Sequence, residues 1–517
     1  MRTSHVRTTL LLLSVALAVC GACRRAAPPS PPPPVEMTTL SELRAQKAAP
    51  PMLSAPDGRL IVGRGQDYQP INEPADKLFA EMRGSMQRRR QRAWQIVEAV
   101  IKPATLAAGE GRLQLPVWQT WYQTNPEISD MLKLYFDKLK ASPSANREQL
   151  VEEVFQEYTE RDLSERLTDE AFRQRLSQFE GSPELTAGVN GIGGTMFSPS
   201  FVKHIMLQAQ GTETCPIGIP SQDPPERLPA PASATNFSSC ILEFPRSAVM
   251  IKTVWRPIDE GLLPHDTSEP AMRTLIKDGT WPEVTPVAPA ANTVYTLTTD
   301  SGARWALTGI HFVTKDVREW VWVTLWWDSQ PTSDFGSDRP QSIAQYNNGV
   351  WANYKMCATG SFDEGDATPW AGFSDAGLAG SLRATHEEIE AQTKRTLRRW
   401  PAEWRGNPRF TNPTTWCSNP NLETHPGNGR TNCIGCHQLP NTTNDRTGAA
   451  ARFSDTLTVD DRIADFPQNG RAMYRQNFPA DFAWSFGRQF GRAIRAARMA
   501  AGFEWPAAPP AGRGGVR

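Results

Sequence analysis

The spacing of apolar and polar positions divides the chain into a helical part, a strand-rich part and a loop-rich C-terminal part. Within residues 76–179, apolar residues recur at three- and four-residue intervals, which predicts amphipathic helices. Four later runs, at 248–255, 293–298, 305–314 and 320–327, are rich in apolar and β-branched residues and predict strands. The last run is apolar on both alternating faces, so we expect it to lie between two layers.

An apolar run near the start of the chain predicts export. Residues 10–19 are apolar apart from Ser14 and follow Arg2 and Arg7, which is the pattern of a secretory signal peptide. The run is too short to span a bilayer as a helix. Gly-Ala precedes Cys23, which indicates a bacterial lipoprotein site, and cleavage with release stays the alternative. We therefore expect a protein of the periplasm or outer membrane surface, with a lipidated Cys23 as the candidate membrane tether.

The charge balance argues against a nucleic-acid partner. The chain has 55 basic and 55 acidic residues, so its formal net charge is zero, whereas nucleic-acid binding demands a basic face. The basic run at 88–92 is interpreted as a solvated helix face. The Pro-rich stretch at 24–57 predicts an extended tether, because such a composition cannot build a core.

The stretch with the most specific chemistry is Cys433-Ile434-Gly435-Cys436-His437. Two cysteines at this spacing can each form a thioether to one vinyl group of the same porphyrin, and His437 can then reach the iron as axial ligand. A zinc half-site is disfavoured because Cys436 and His437 are adjacent, and a thioredoxin-like pair would need a preceding strand. The motif therefore predicts one covalent haem c held by Cys433, Cys436 and His437.

The sixth iron ligand is left open by the pattern. Met473 lies 36 residues (473 − 437) after the histidine, on a segment loose enough to fold over the ring, and we predict it as the second metal ligand. Met499, Met356 and His425 are further candidates. If none of them binds, the iron keeps an open position. His311, within a predicted strand, is interpreted as a hydrogen-bonded core histidine, with a distal ligand or catalytic base as the alternative.

Outside the leader and the motif, four cysteines remain, and an even number in an exported chain predicts two disulfides. Three connectivities are possible. The local pairing joins Cys215 to Cys240, and Cys357 with Cys417 would then tie the middle of the chain to the C-terminal segment. Residues 401–432 are rich in Pro, Asn and Gly and predict loops. A predicted helix at 480–503, with Phe residues four apart, is expected to cover one side of the haem.

The sequence resembles a group of exported bacterial monohaem cytochrome c family proteins. The resemblance is carried by Gly-Ile-His-Phe-Val-Thr-Lys at 309–315, Trp-Val-Trp-Val-Thr at 320–324, Asn-Pro-Asn-Leu-Glu-Thr at 419–424 and Thr-Asn-Cys-Ile-Gly-Cys-His at 431–437. It covers about residues 245–500. It implies a covalent haem and a periplasmic or outer-surface location, but no substrate.

These patterns together predict a multidomain α+β fold. It has an N-terminal helical region, a central antiparallel β-sandwich-like body and a small C-terminal helical and loop segment that carries the haem c. The expected organisation is a signal peptide at 1–23, a Pro-rich tether at 24–57, a helical region at 58–185, a Trp-rich β body at 186–415, a cytochrome c-like haem segment at 416–505 and a disordered tail at 506–517.

The function predicted from the sequence is single-electron transfer to or from a redox partner protein that the sequence does not identify. The alternative is a haem enzyme or small-ligand sensor, peroxidase-like or gas-binding, with an open iron position. The chain lacks a nucleophile elbow, a phosphate loop and a metalloprotease signature, which favours an electron carrier over a catalyst. If it is an enzyme, we expect an oxidoreductase.

Overall fold

The computed structural model describes residues 37–38, 66–104, 116–160, 191–214, 244–298, 301–317, 319–361, 364–368, 380–381, 413–423, 432–437 and 489–506. The predicted signal peptide, Cys23, Met473 and the pair Cys215 and Cys240 lie outside these residues.

Nine α-helices lie within the described residues. They are α1 (Ala75–Gly84), α2 (Met86–Ile101), α3 (Ser129–Ala141), α4 (Arg147–Glu160), α5 (Pro199–Leu207), α6 (Ala209–Thr214), α7 (Glu269–Asp278), α8 (Cys433–His437) and α9 (Gln489–Ala501). Short 3-10 helices lie at Val117–Thr120, Ile258–Glu260, Ala291–Thr293, Asp334–Gly336, Gln341–Gln345 and Asn347–Asn353, and a π-helical turn at Thr124–Ile128. None of the helices in this part of the chain is long and apolar enough to cross a membrane.

One antiparallel sheet of six strands forms the centre of this part of the chain. Its strands are β1 (Ile192–Phe197), β2 (Val249–Pro257), β3 (Thr296–Thr298), β4 (Arg304–Thr314), β5 (Val321–Trp327) and β6 (Tyr354–Thr359). The order is β1-β2-β4-β5-β6, and β3 pairs with the beginning of β4. Two-residue ladders pair Met37–Thr38 with Ala288–Pro289 and Gly380–Ser381 with Pro413–Thr414.

Both faces of the sheet are buried, as the continuously apolar sequence of β5 predicts. On one face, Val321, Val323 and Leu325 pack in a cluster with Trp94 and Val97 of α2. The opposite face packs against α3, α4, α5 and α9. Its cluster includes Trp322, Trp326, Phe136, Phe201 and Phe490.

The layers that cover the sheet in the described residues are helices and loops, where the sequence led us to expect a sandwich of two sheets. An apolar strand needs an apolar layer above it, but its own sequence does not determine whether that layer is a sheet or a helix. The observed architecture is therefore a mixture of helices and an antiparallel sheet.

The predicted solvation of the basic run at 88–92 is wrong for two of its arginines. Arg89 and Arg90 are fully buried on α2. The Arg90 Nε donates to Asp338 Oδ2 at 2.6 Å, and its two Nη atoms donate to the carbonyls of Met356 and Phe335, each at 2.6 Å. A guanidinium can be buried when its donors are satisfied in this way, and partners so distant in sequence cannot be read from a charge run.

The strands predicted within residues 248–327 are confirmed as β2, β3, β4 and β5, with ends shifted by up to three residues. Strands β1 and β6 were not predicted. The predicted helix at 480–503 is confirmed over Gln489–Ala501, and residues 480–488 lie outside the described ones. One predicted disulfide is confirmed: Cys357 is bonded to Cys417, with the two Cα atoms 5.5 Å apart.

Candidate functional site

The chemistry of the sheet is concentrated in one row of side chains across four strands. The antiparallel register pairs Lys252 of β2 with His311 of β4, His311 with Thr324 of β5, and Thr324 with Cys357 of β6. Residues directly opposite each other in adjacent strands project from the same face of a sheet. This row lies on the face that also carries Trp322.

The segment at 413–423 is fastened onto this row by a disulfide and by side-chain amides. Cys417 is bonded to Cys357, which joins the segment to β6. The Nδ2 of Asn419 donates to Thr324 Oγ1 at 2.7 Å and to the Leu325 carbonyl at 2.9 Å. Asn419 is fully buried, so these bonds fix its side chain in the interior.

Two further residues show how closely this segment approaches the sheet. The Nδ2 of Asn421 donates to the Thr308 carbonyl at 3.1 Å. A Cβ atom placed on Gly309 would lie 2.8 Å from Asn419 Oδ1, closer than such contacts occur. The glycine in β4 therefore makes room for the asparagine amide.

The Cys-x-x-Cys-His motif forms the short helix α8, which follows this segment in the chain. The Nδ2 of Asn432 donates to the Thr415 carbonyl at 3.2 Å, and the backbone of Asn432 forms a parallel β-bridge with that of Cys417. Cys433 carries a thiol and is buried, with its Sγ 3.7 Å from the Cys417 carbonyl oxygen. The first cysteine of the motif therefore lies beside the segment that the disulfide joins to the sheet.

The imidazole of His437 lies against the sheet. Its ring centroid is 4.4 Å from that of Trp322, with the two planes inclined at 45°. The indole of Trp322 is itself held, because its Nε1 donates to the Glu319 carbonyl at 3.0 Å. His437 is half-buried, and the side chain of Cys436 lies outside the described residues.

A cluster of three different ligand types lies beside the motif. The Nε2 of His311, a carboxylate oxygen of Glu423 and the Sγ of Cys433 all lie within 4.8 Å of one another. The distance from His311 Nε2 to Glu423 Oε1 is 3.4 Å, and this nitrogen has no hydrogen-bond partner in the described part of the chain. The second oxygen of Glu423 accepts from the backbone N–H of Asn419.

Burial favours the neutral forms of the His311 imidazole and the Glu423 carboxyl group. It lowers the pKa of His311 to about 3, and the positive charge of Lys252 acts in the same direction. Burial also raises the pKa of Glu423 to about 7, although the hydrogen bond from Asn419 and the charge of Lys252 oppose that rise. Near neutral pH the cluster therefore holds a neutral imidazole beside a carboxyl group that can lose or take up a proton.

The structure brings two of the residues that the sequence singled out, Cys433 and His311, into one cluster, and His437 lies on the same short helix as Cys433. Met473 lies outside the described residues. Glu423 was quoted only as part of a resembling segment, with no role, and its position beside His311 depends on tertiary contacts. The one local signal that could have indicated it is the Asn419–Glu423 spacing of four, which allows the carboxylate to receive the Asn419 N–H.

The residues present fit a covalently attached haem. Cys433 and His437, which would supply one thioether and one axial nitrogen, lie on the same five-residue helix. Ile434 between them is fully buried and belongs to the apolar cluster that contains Trp322 and Trp326. An attachment helix set into an apolar wall is what a largely hydrophobic ring requires.

The comparisons with known proteins found no match: no family model matches the sequence, and neither a curated protein nor a solved structure is similar to it.

Proposed function

We propose that this chain is an exported c-type cytochrome that binds one covalent haem c and transfers single electrons to or from a partner protein. The observation that carries the proposal is the placement of the Cys-x-x-Cys-His sequence. Its first cysteine is buried beside a disulfide-anchored loop, and its histidine ring packs 4.4 Å from Trp322. We also propose that residues 416–505 form a haem segment of a multidomain chain.

Each residue of the motif has a separate task in this proposal. Cys433 and Cys436 would hold the haem by thioethers, and His437 would ligate the iron, with Met473 as the proposed second axial ligand. The bound haem would supply the one-electron chemistry. Trp322 packs against the His437 imidazole and restricts its rotation, and the apolar cluster around Ile434 keeps water away, which favours the less charged ferrous state.

Covalent attachment is tested on the full-length exported protein. We expect the tryptic peptide with Cys433 and Cys436 to carry the mass of one haem, and the reduced pyridine spectrum to show saturated vinyl positions. His437→Ala should keep both thioethers but lose the normal axial ligation. The double variant Cys433→Ala, Cys436→Ala is the matched control, and it should hold no haem after acid–acetone extraction. An unmodified peptide from exported wild-type protein would overturn the proposal.

A second candidate function is favoured by one observation, the His311–Glu423 pair beside Cys433. A haem enzyme that cleaves peroxide needs a proton donor and acceptor near the iron, and simple electron transfer does not. Binding of carbon monoxide to the reduced protein distinguishes the two. A six-coordinate electron carrier should bind it only after Met473→Ala, whereas an enzyme or gas sensor with an open position should bind it without any substitution.

A further inference from the structure

His311, Glu423 and Cys433 meet in a way that the electron-transfer proposal does not explain. Their Nε2, carboxylate oxygen and Sγ lie within 4.8 Å of one another, and His311 is only 8% exposed. Leaving an imidazole nitrogen buried without a hydrogen-bond partner is unfavourable. We therefore looked for a reaction of Cys433 in which His311 and Glu423 would transfer a proton.

The three groups are held by different elements, so their meeting is a property of the tertiary fold. His311 lies on β4, in the buried row of the sheet. Glu423 is held by the backbone N–H of Asn419. Cys433 begins α8, where its thiol lies 3.7 Å from the Cys417 carbonyl. A nucleophile with a base in reach, and a third group that orients the base, is the usual arrangement of an activated thiol.

We propose that the His311–Glu423 pair promotes the formation of the thioether between Cys433 and a haem vinyl group. The inference rests on the proposed function, because it concerns the attachment of that haem. It assigns the pair an acid–base role in the maturation of the protein, separate from electron transfer.

The proposed step is the addition of a thiol across a carbon–carbon double bond. The pair takes the proton from the Cys433 S–H, and the sulfur forms a bond to the vinyl carbon next to the ring. The π bond breaks, and the terminal vinyl carbon receives the proton from the pair. One S–H bond and one π bond are lost, one C–S and one C–H bond are gained, and no electron is transferred to or from another reactant.

The electrostatics of the cluster suit this step. A thiol has an ordinary pKa of about 8.5, and burial raises the pKa of Glu423 to about 7. The raised pKa of Glu423 is closer to that of an ordinary thiol, which makes proton transfer between the two groups easier. The ammonium of Lys252 acts on both His311 and Glu423 from the neighbouring strand. The same charge disfavours the alternative occupant, a divalent metal ion held by the three side chains.

The experiment separates the two cysteines. Full-length exported protein without haem is purified from a strain that lacks haem-attachment factors, and it is mixed with haem b and dithionite. In the Cys436→Ala background only Cys433 can react, and in the Cys433→Ala background only Cys436 can. Haem that resists acid–acetone extraction is measured against time, and the modified cysteine is identified by peptide mass.

We expect Glu423→Gln to slow attachment in the Cys436→Ala background by roughly 10²-fold, the lower end of what a positioned acid–base group contributes. His311→Gln should slow it in the same background. Attachment in the Cys433→Ala background should be slowed far less by either change. The intact Cys357–Cys417 disulfide, identified as a linked peptide pair by mass spectrometry without reductant, confirms that the variants have folded.

The results that would overturn the inference differ from those that would overturn the proposed function. Equal attachment rates with and without the Glu423→Gln change in the Cys436→Ala background would refute the acid–base role while leaving the cytochrome proposal intact. Slowing by the same factor in both cysteine backgrounds would show a general structural effect and would also refute it. If neither background attaches haem, both the proposed function and the inference that rests on it fail.

Discussion

Gly309 offers a direct test of how the segment at 413–423 is held against the sheet. In Gly309→Ala the added Cβ would lie 2.8 Å from Oδ1 and 3.0 Å from Nδ2 of Asn419. The amide cannot simply turn away, because Nδ2 donates to Thr324 Oγ1 and to the Leu325 carbonyl. We therefore expect the substitution to displace Asn419 and, through its N–H, the carboxylate of Glu423.

The expected cost is about 3–5 kcal/mol in the free energy of unfolding. Overpacking a buried site costs about 1–3 kcal/mol, and weakening two buried hydrogen bonds adds about 1 kcal/mol for each. Urea denaturation of the wild type and Gly309→Ala, followed by tryptophan fluorescence, measures the difference. Gly84→Ala is the matched control, because nothing lies within 4 Å of its added Cβ at the end of α1, and it should not destabilise the protein.

A double-mutant cycle identifies the cause of the loss. In an Asn419→Ala background the atoms that the new methyl group meets are absent, so Gly309→Ala should cost less than about 1 kcal/mol there. The coupling free energy between the two positions should then be at least about 2 kcal/mol. If Gly309→Ala costs the same in both backgrounds, the close approach of Asn419 is not what requires the glycine, and the reasoning is refuted.

Three further predictions concern the framework of the sheet. Replacing Cys357 and Cys417 together by Ser should lower the unfolding free energy by about 4 kcal/mol, since the bond closes a loop with a sequence separation of 60, and a loss below about 1 kcal/mol in urea would contradict this. His265 is buried, and burial lowers its pKa to about 4, below the value of about 6.5 in the unfolded chain, so protonation favours unfolding. The unfolding free energy should therefore fall by up to about 3 kcal/mol as the pH drops from 6.5 to 4. Denaturation measured over this pH range should show that His265→Leu removes the loss. Arg90→Ala should lower the unfolding free energy by about 3–5 kcal/mol because it removes the ion-pair partner of the Asp338 carboxylate. The control Arg88→Ala, at an exposed position, should change thermal stability little. Equal effects of the two changes would argue against a stabilising ion pair between Arg90 and Asp338.

The strands that could be predicted are those that lie in runs rich in apolar and β-branched residues. Strand β5 is one of them, because seven consecutive residues are buried and its sequence has few polar positions. Strand β1 begins Ile-Gly-Gly, and glycine contributes no side chain to a periodic pattern. Strand β6 contains Lys355 and Cys357, whose burial is made possible by an ion pair with Asp328 and by the disulfide. Neither partner is visible in the local sequence.

The candidate site also contains residues that a local sequence pattern indicates and residues that only tertiary contacts reveal. Cys433, Cys436 and His437 could be proposed from the sequence because the Cys-x-x-Cys-His spacing is a local pattern, complete within five residues. His311 and Glu423 are 112 residues apart (423 − 311), and their meeting depends on the register of β4 and on the turn from Asn419. The strand pattern predicts His311 as a core residue, and its burial agrees with that. Only the fold shows the Glu423 carboxylate and the Cys433 thiol beside it.

The attachments of α8 also bear on whether the C-terminal segment can act alone. The loop before the motif is joined to β6 through Cys417, and the side chain of Asn419 in that loop donates to Thr324 and Leu325 of β5. A chain that begins at residue 416 would lack all three anchors and would also lack Trp322 against His437. The sheet is therefore part of the site: it supplies the wall that orients the imidazole and the histidine that meets Glu423 and Cys433. The strands before the motif then have a physical role, because they supply the residues to which the segment at 413–423 is fastened.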